Sequence, residues 1–295
     1  MSETARVCAV VVTFNRKQLL GGALAALSRQ TRPLDDIIVI DNASTDGTDE
    51  LLRREFPTIR TLRLPENIGG AGGFAAGMKW AYDAGFDWFW IMDDDVQALP
   101  EALEELLNHR HLSDFLHLRK RGVGKLESWE GIWDLHRLEL RMYPREFSFE
   151  NGKPWICINY GNFEGALIHR RIVDRIGLPD VRYFMWSDDS IYGYLASFHT
   201  NVLYINHVGF ERLLPPRHKL ERMGVYLLFR NRFLNFEHLT KTGIRISKAT
   251  FWVDLLREMI WCLRRPEGRQ WTLIKAMLAG ARDGSQGRFG RPSWL

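Results

Sequence analysis

Residues Val7–Thr13 read VCAVVVT, a near-continuous β-branched apolar run of the kind found in a strand buried on both faces. A helical stripe follows, with Leu20, Ala23, Leu24 and Leu27 at helical spacing within residues 17–30. The alternation then repeats. Asp36–Asp41 (DIIVID) predicts a second buried strand, and residues 44–48 supply turn and cap chemistry before a helix over 49–56. Residues 59–64 predict a third strand, 72–84 an amphipathic helix, and 88–92 (WFWIM) a fourth strand. This rhythm predicts an α/β fold with a mostly parallel sheet and right-handed crossovers. Ligands bind such sheets beyond the carboxyl ends of the strands. Thr13, Asp41 and Asp93–Asp95 all fall at such ends.

From about residue 111 to 155 the periodicity loosens, interrupted by His, Arg and Trp. Residues 159–169 predict another sheet segment, 191–198 a helix, 202–205 a short strand and 217–240 a long helix. Two amphipathic segments follow. Phe251, Trp252, Leu255, Leu256, Met259, Ile260 and Leu263 recur at helical spacing, as do Trp271, Ile274, Met277, Leu278 and Ala281. Arg264, Arg265, Arg269 and Lys275 lie between or beside them. No internal repeat is present, and no apolar run approaches the roughly 18 residues that a membrane span needs.

At 295 residues and 45% hydrophobic, the chain has material for one core unit plus an appendage. Cys8, Cys157 and Cys262 are far apart, which excludes a disulfide framework or zinc finger and suggests a reducing compartment. The opening MSETARVCAVVV lacks the pattern of a signal peptide. The net charge of +4 is unevenly distributed: residues 245–295 hold ten Lys/Arg and four Asp/Glu, a balance of +6, which leaves −2 for the rest. A basic tail suits an anionic membrane surface, or is a solvated helical face. Nucleic acid is disfavoured, because these residues sit on apolar-striped helices rather than along a groove.

Three aspartates end the apolar fourth strand. Side chains alternate along extended chain, so Asp93 and Asp95 can point together and Asp94 away. Such a pair repels itself unless a cation intervenes, and Mg²⁺ or Mn²⁺ with substrate phosphates suits it. The run Gly69-Gly-Ala-Gly-Gly-Phe fits a dinucleotide fingerprint poorly, since it follows the third strand rather than the first. A flexible glycine loop opening a helix near a phosphate, or plain close packing, remains. Asp188-Asp189 beside Trp186 suits a general base near a sugar ring, or caps a helix. His207 is a metal ligand or a structural histidine. Tyr226 with Arg230-Asn231 holds a pyrophosphate or forms a salt bridge. No P-loop and no Ser/His/Asp or Cys/His order is present.

Taken together, VVVTFNR, VIDNASTDGT, ENIGGAGGF and WIMDDDV, in this order, resemble a family 2 inverting glycosyltransferase of the GT-A fold. NFEGALIHRRIVDRIGLP, FMWSDDS, YLLFRNR and GSQGRFGRP resemble its galactofuranosyltransferase and rhamnosyltransferase branch. The resemblance implies a nucleotide-sugar transferase domain over residues 1–215 and a C-terminal helical region over 216–295 open to membrane association. It implies a UDP-sugar donor, with UDP-galactofuranose ahead of dTDP-rhamnose, and a polysaccharide or lipid-linked glycan acceptor. The location implied is cytoplasmic, peripheral at the inner face of the cell membrane; the oligomeric state is left open. Thr13 and Asp41 match residues that grip the base, and Asn15, Arg16, Asn67, Gly70, Asp94, Trp186 and Arg230 further donor contacts. Asp93, Asp95 and His207 match ligands of Mn²⁺ or Mg²⁺, and Asp189, with Asp188, the catalytic base. The helix after the acid pair lacks the acidic residue and arginine that many relatives carry there. A non-catalytic scaffold would have lost its acids, and both clusters are present.

Overall fold

The computed structural model describes residues 5–122, 125–127, 130–134, 139–142, 149, 152–214, 220–244, 246–292 and 294. The first half runs β1 (Val7–Thr13), α1 (Lys17–Leu27), β2 (Asp36–Asp41), α2 (Thr48–Glu55), β3 (Arg60–Arg63), α3 (Gly69–Asp83), β4 (Trp88–Asp93), β5 (Val96–Ala98), α4 (Ala102–Asn108), β6 (Phe115–Gly122), β7 (Lys125–Glu127), β8 (Gly131–Asp134) and β9 (Glu139–Met142). The second runs β10 (Trp155–Ile158), β11 (Ala166–His169), α5 (Arg170–Ile176), α6 (Asp188–Ala196), β12 (Val202–Arg212), α7 (Arg222–Lys241), α8 (Lys248–Arg264) and α9 (Trp271–Ser285).

The main sheet has the order β10-β12-β6-β11-β4-β1-β2-β3. It is parallel from β3 through β2 and β1 to β4. Beyond β4 it is mixed: β11 is antiparallel to both β4 and β6, while β6 and β12 are parallel. Strand alternation places the side chains of β1 on two opposite cores. Val7, Ala9 and Val11 join Leu20, Leu24 and Leu27 of α1 and Leu103, Leu106 and Leu107 of α4. Cys8, Val10 and Val12 join Phe74, Met78 and Ala81 of α3. The result is a helix–sheet–helix sandwich. A further core, built from α7, α8 and α9, takes in Phe184 from the sheet-bearing part of the chain.

The architecture departs from the periodicity at identifiable places. The stretch with loosened periodicity contains β6, an interior strand, and β12 is 11 residues long rather than four. The expected boundary at 215/216 and the first residues of the expected long helix lie outside the described residues. The glycine run is not a flexible loop: α3 begins at Gly69, three residues before its expected start. A Cβ on Gly77 would stand 2.3 Å from Cγ1 of Val10 and 3.0 Å from Cγ1 of Ile40, so α3 lies directly against β1 and β2.

That close approach is testable. Gly77→Val gains little helix propensity and overpacks the core, a change that costs about 1–3 kcal/mol. The urea midpoint should fall accordingly; an unchanged midpoint would show that α3 is not seated on the sheet this way.

Candidate active site

The carboxyl ends of β1 and β4 hold the triple aspartate. Thr13, the last residue of β1, donates its hydroxyl to Oδ2 of Asp94 at 2.6 Å. Arg16, just before α1, reaches Asp94 Oδ1 and Asp95 Oδ2 with one nitrogen, both at 3.0 Å. Burial pushes the Asp94 carboxyl up, and the bonds from Thr13 and Arg16 oppose that rise. Asp93 ends β4, and its carboxyl is held well above the usual range by burial first, then by the negative charges of Asp95, Glu164 and Asp94. Glu164, in the turn before β11, went unnoticed in the sequence. One of its oxygens accepts from Arg212 at 2.8 Å, and the other is buried without a hydrogen bond.

A divalent cation fits this cluster on chemical grounds. Asp93, Asp95 and Glu164 present hard oxygen donors, their mutual repulsion raises the Asp93 carboxyl, and one Glu164 oxygen is unsatisfied. His207 is not brought into it. Among the described residues no three His, Cys, Asp or Glu side chains, Asp93, Asp95 and Glu164 included, already stand as a finished metal-ligand set, so the fit of the carboxylates rests on their chemistry and mutual repulsion. His207 lies in the bulge of β12 between the Ile205 and Val208 pairings with β6. The part of β12 that reaches the aspartates is its end, where Arg212 pairs with Val96 and Leu213 N donates to Asp95 O at 3.0 Å. Five residues of extended chain, about 15 Å, separate the two places.

Beside β2, Asp41 is buried and accepts from Ser44 N at 2.8 Å and from Arg63 at 3.3 Å. Exposed Asn15 accepts from Thr45 N at 2.7 Å, so the loops after β1 and β2 are tied together. Asn67 accepts from Gly69 N at 2.8 Å and so caps the entry to α3. Nothing stands within 4 Å of a Cβ placed on Gly70, which faces open space.

The acid pair opens α6. The loop before it holds Phe184, Trp186 and Ser187 at φ of 64°, 67° and 68°, the left-handed region that residues with a Cβ avoid. Two residues of α7 hold this loop. Asn231 donates its amide to the carbonyls of Tyr183 (3.3 Å), Met185 (2.8 Å) and Trp186 (2.9 Å). Arg230 donates to the carbonyls of Tyr183 (2.6 Å), Arg182 (3.4 Å) and Gly290 (2.5 Å). Arg230 is 1% exposed, so the structure gives it a positioning role in place of the expected donor contact: its guanidinium is taken up by these carbonyls and by Asn231 Oδ1 (3.0 and 2.9 Å). The loop packs on the start of α3, where Ala71 N donates to Phe184 O at 3.2 Å. This places the acid pair at the same sheet edge as Asn42, whose amide donates to Gly69 O. The Trp186 ring remains 49% exposed, as a sugar platform requires.

The two acids differ. Asp188 is buried, and its carboxyl is held well above the usual range by burial and by the charge of Asp189. Asp189 is half-buried; burial raises its carboxyl too, while the amide and hydroxyl of Ser190 (2.6 and 3.0 Å) and the charge of Lys120 oppose the rise. Within the pair the rise is the greater at Asp188, so Asp189 is the one that ionises first. Tyr160, half-buried nearby, is pushed up to about 12 by desolvation and by the charge of Asp189.

Comparison with known proteins agrees with this layout. The family described as Glycosyl transferase family 2 matches residues 8–162. Galactofuranosyltransferase GlfT1 of Mycolicibacterium smegmatis is 34% identical over 197 residues, 64% of this chain and 64% of that protein; the match therefore spans less than two thirds of the relative's length. Two solved structures share the fold. Mannosyltransferase PcManGT from Pyrobaculum calidifontis, in complex with GDP-Man and Mn²⁺, aligns with TM-score 0.56 at 18% identity, covering 97% of this chain and 89% of that one. TarS 1-349 of S. aureus, in complex with UDP, aligns with TM-score 0.56 at 14% identity, covering 96% and 92%.

The loop clamp generates a prediction. Asn231→Ala removes the one amide group that bonds three backbone carbonyls and should lower stability by about 2–3 kcal/mol. Well below the melting temperature it should lower turnover about tenfold or more, change UDP affinity less than about threefold, and raise amide hydrogen exchange selectively over residues 184–189. Unchanged exchange there would remove Asn231 as a positioning residue.

Proposed function

The chain belongs to glycosyl transferase family 2, and from that premise we propose that it is a metal-dependent inverting transferase. The donor in this reading is UDP-galactofuranose, and the acceptor is a cell-surface polysaccharide or lipid-linked glycan. The observation that carries the reading is the pairing of two unlike acid clusters at one edge of the sheet. One is a buried carboxyl group suited to a cation and a diphosphate. The other is an acid pair with one member ionised beside an exposed tryptophan.

Asp93 and Asp95, with Glu164 adjacent, are the residues that would hold Mn²⁺ or Mg²⁺. When bound, the cation supplies charge neutralisation for a departing diphosphate. The chain's own residues do the rest. Arg16 fixes Asp94 and Asp95, and so sets the shape of the cluster. Asn15 and Asp41 organise the loops after β1 and β2, where the base of a nucleotide would lie. Trp186 offers an apolar face to a sugar ring. Asp189 accepts the proton of the acceptor hydroxyl as its oxygen attacks the anomeric carbon from the face opposite the leaving group; one displacement inverts that centre. Ser190 orients the carboxylate, and Asp188, protonated beside it, adds no second negative charge.

Residues 1–215 act in this reading as the transferase unit and 216–295 as a helical region that buttresses it. The place of work is the inner face of the cytoplasmic membrane, with the chain held there peripherally. No helix among the described residues is long and apolar enough to cross a membrane.

Two variants test the assignment. Asp95→Ala should abolish turnover and weaken metal-dependent UDP binding in isothermal titration; unchanged affinity would remove Asp95 from the ligand set. Asp189→Asn should keep UDP affinity and lower kcat by about 10²-fold or more, the usual scale of general-base catalysis. In the parent protein the base must be ionised to act, so kcat rises with pH through the Asp189 pKa. Burial raises that pKa, so the acid limb of the kcat profile should lie above the ordinary aspartate range. A greater loss in Asp188→Asn than in Asp189→Asn would reverse the roles.

A further inference from the structure

α8 turns its acids inward and leaves an apolar stripe outside. Phe251, Leu255 and Cys262 are its buried residues. Asp254 and Glu258 are taken up by Arg232 of α7, which reaches Asp254 Oδ2 at 2.9 Å and also bonds Glu258. Trp252 (55% exposed), Val253 (48%), Leu256 (50%) and Ile260 (42%) follow at one, four and eight residues from the first. At about 100° per residue they occupy a single band about 100° wide. Arg257 and Arg264 fall just beyond its margin, and neither forms a hydrogen bond or ion pair among the described residues. Past them, the Arg265 guanidinium lies 4.2 Å above the half-exposed Trp261 ring.

We propose that this outward face of α8 docks on an anionic lipid bilayer, with Trp252, Leu256 and Ile260 at headgroup level and Arg257 and Arg264 against lipid phosphates. The inference rests on the peripheral membrane location proposed above and names the surface responsible. Charge selects the occupant. The acids of α8 are both bonded by Arg232 within the fold, its two marginal arginines form no hydrogen bond or ion pair among the described residues, and residues 245–295 carry a balance of +6. A second copy would bring the same arginines to a two-fold interface, where they would repel. Exposed apolar residues with a basic margin and tryptophan are what an interfacial helix presents to headgroups.

The test is co-sedimentation of the full chain with phosphatidylcholine vesicles, with and without one quarter phosphatidylglycerol, at low and physiological salt. The parent protein should bind only the anionic vesicles, less well as salt screens the attraction. Arg257→Gln with Arg264→Gln should weaken binding about 30-fold, the equivalent of about 2 kcal/mol for two basic residues. Trp252→Ser with Leu256→Ser and Ile260→Ser should abolish it. The arginine variant changes side chains without partners among the described residues and should leave the melting temperature unchanged; the Trp252 ring also packs edge-on against Phe233 and Phe251, so the apolar variant should lower the melting temperature somewhat, and both should keep UDP affinity. A parent protein that ignores anionic vesicles at low salt overturns the membrane location itself. Vesicle binding untouched by either set of substitutions keeps that location and overturns the role of α8. A parent dimer that the apolar variant splits, with no lipid binding, identifies a second copy as the occupant and overturns the proposal.

Discussion

Carboxylates crowded at the water-poor ends of apolar strands repel one another, and the cleft is organised around that repulsion. Every residue of WFWIM is buried, so the chain leaves β4 from a dry interior and must place three aspartates within one turn. Arg16 bridges Asp94 and Asp95, and the Thr13 hydroxyl supports Asp94. Asp93 is helped only by the charge of Arg16, against burial, Asp95 and Glu164, so the compensation there is incomplete. The same problem is solved differently at residues 188–189. The first turn of α6 supplies partial positive charge, Ser190 bonds one carboxyl, and burial with the neighbouring charge makes the other the harder to ionise. In the function proposed above, one cluster receives positive charge and the other takes up a proton.

Placing the second cluster carries a conformational cost. Three left-handed residues with a Cβ in a stretch of four cost about 1–3 kcal/mol each, and such strain persists only where the surroundings over-determine it. Arg230 and Asn231 provide that over-determination, with the carbonyl of Gly290 completing the Arg230 shell. Gly69 contributes from the other side: at φ +79 it lies so close to Phe184 O that a Cβ there would clash. The geometry of the acid pair therefore depends on α7 and on the segment after α9. The C-terminal helices support the site as well as flanking it.

What the sequence disclosed follows physical lines. β1, β2, β4 and the acid clusters were legible because two-sided burial leaves an unbroken apolar run, and charge at its end stands out. β6 was not, because its buried positions include His117 and Lys120, so burial and hydrophobicity part company there. Glu164 sits alone among apolar neighbours in NFEGALI, and only the fold brings it to Asp93 and Asp95. Arg230-Asn231 drew attention as a polar pair on a long helix, but spacing alone could not separate a pyrophosphate contact from a backbone clamp. His207 was read from a short strand; the bulge and the true length of β12 move it away from the aspartates.

The polar interior of β6 has a consequence for how the two clusters interact. Lys120 is fully buried, bonds Glu130 and donates to Asn162 Oδ1 at 2.8 Å. The same Asn162 oxygen accepts the backbone amide of Glu164 at 3.2 Å, which fixes the turn carrying that carboxylate. Lys120 also pulls both the Glu164 and the Asp189 carboxyls down against the rise that burial imposes. A single buried cation thus biases an acid in each cluster toward its ionised form. His117, stacked on Phe115 with its ring pushed down to about 4 by burial, stays neutral beside Lys120 and adds no competing charge. Because interior charges are weakly screened, this bias reaches Asp189 and Glu164 together, and at Glu164 it works against the charge of Glu130. The polar residues that hide β6 from a hydrophobicity pattern are therefore the ones that join the two halves of the site.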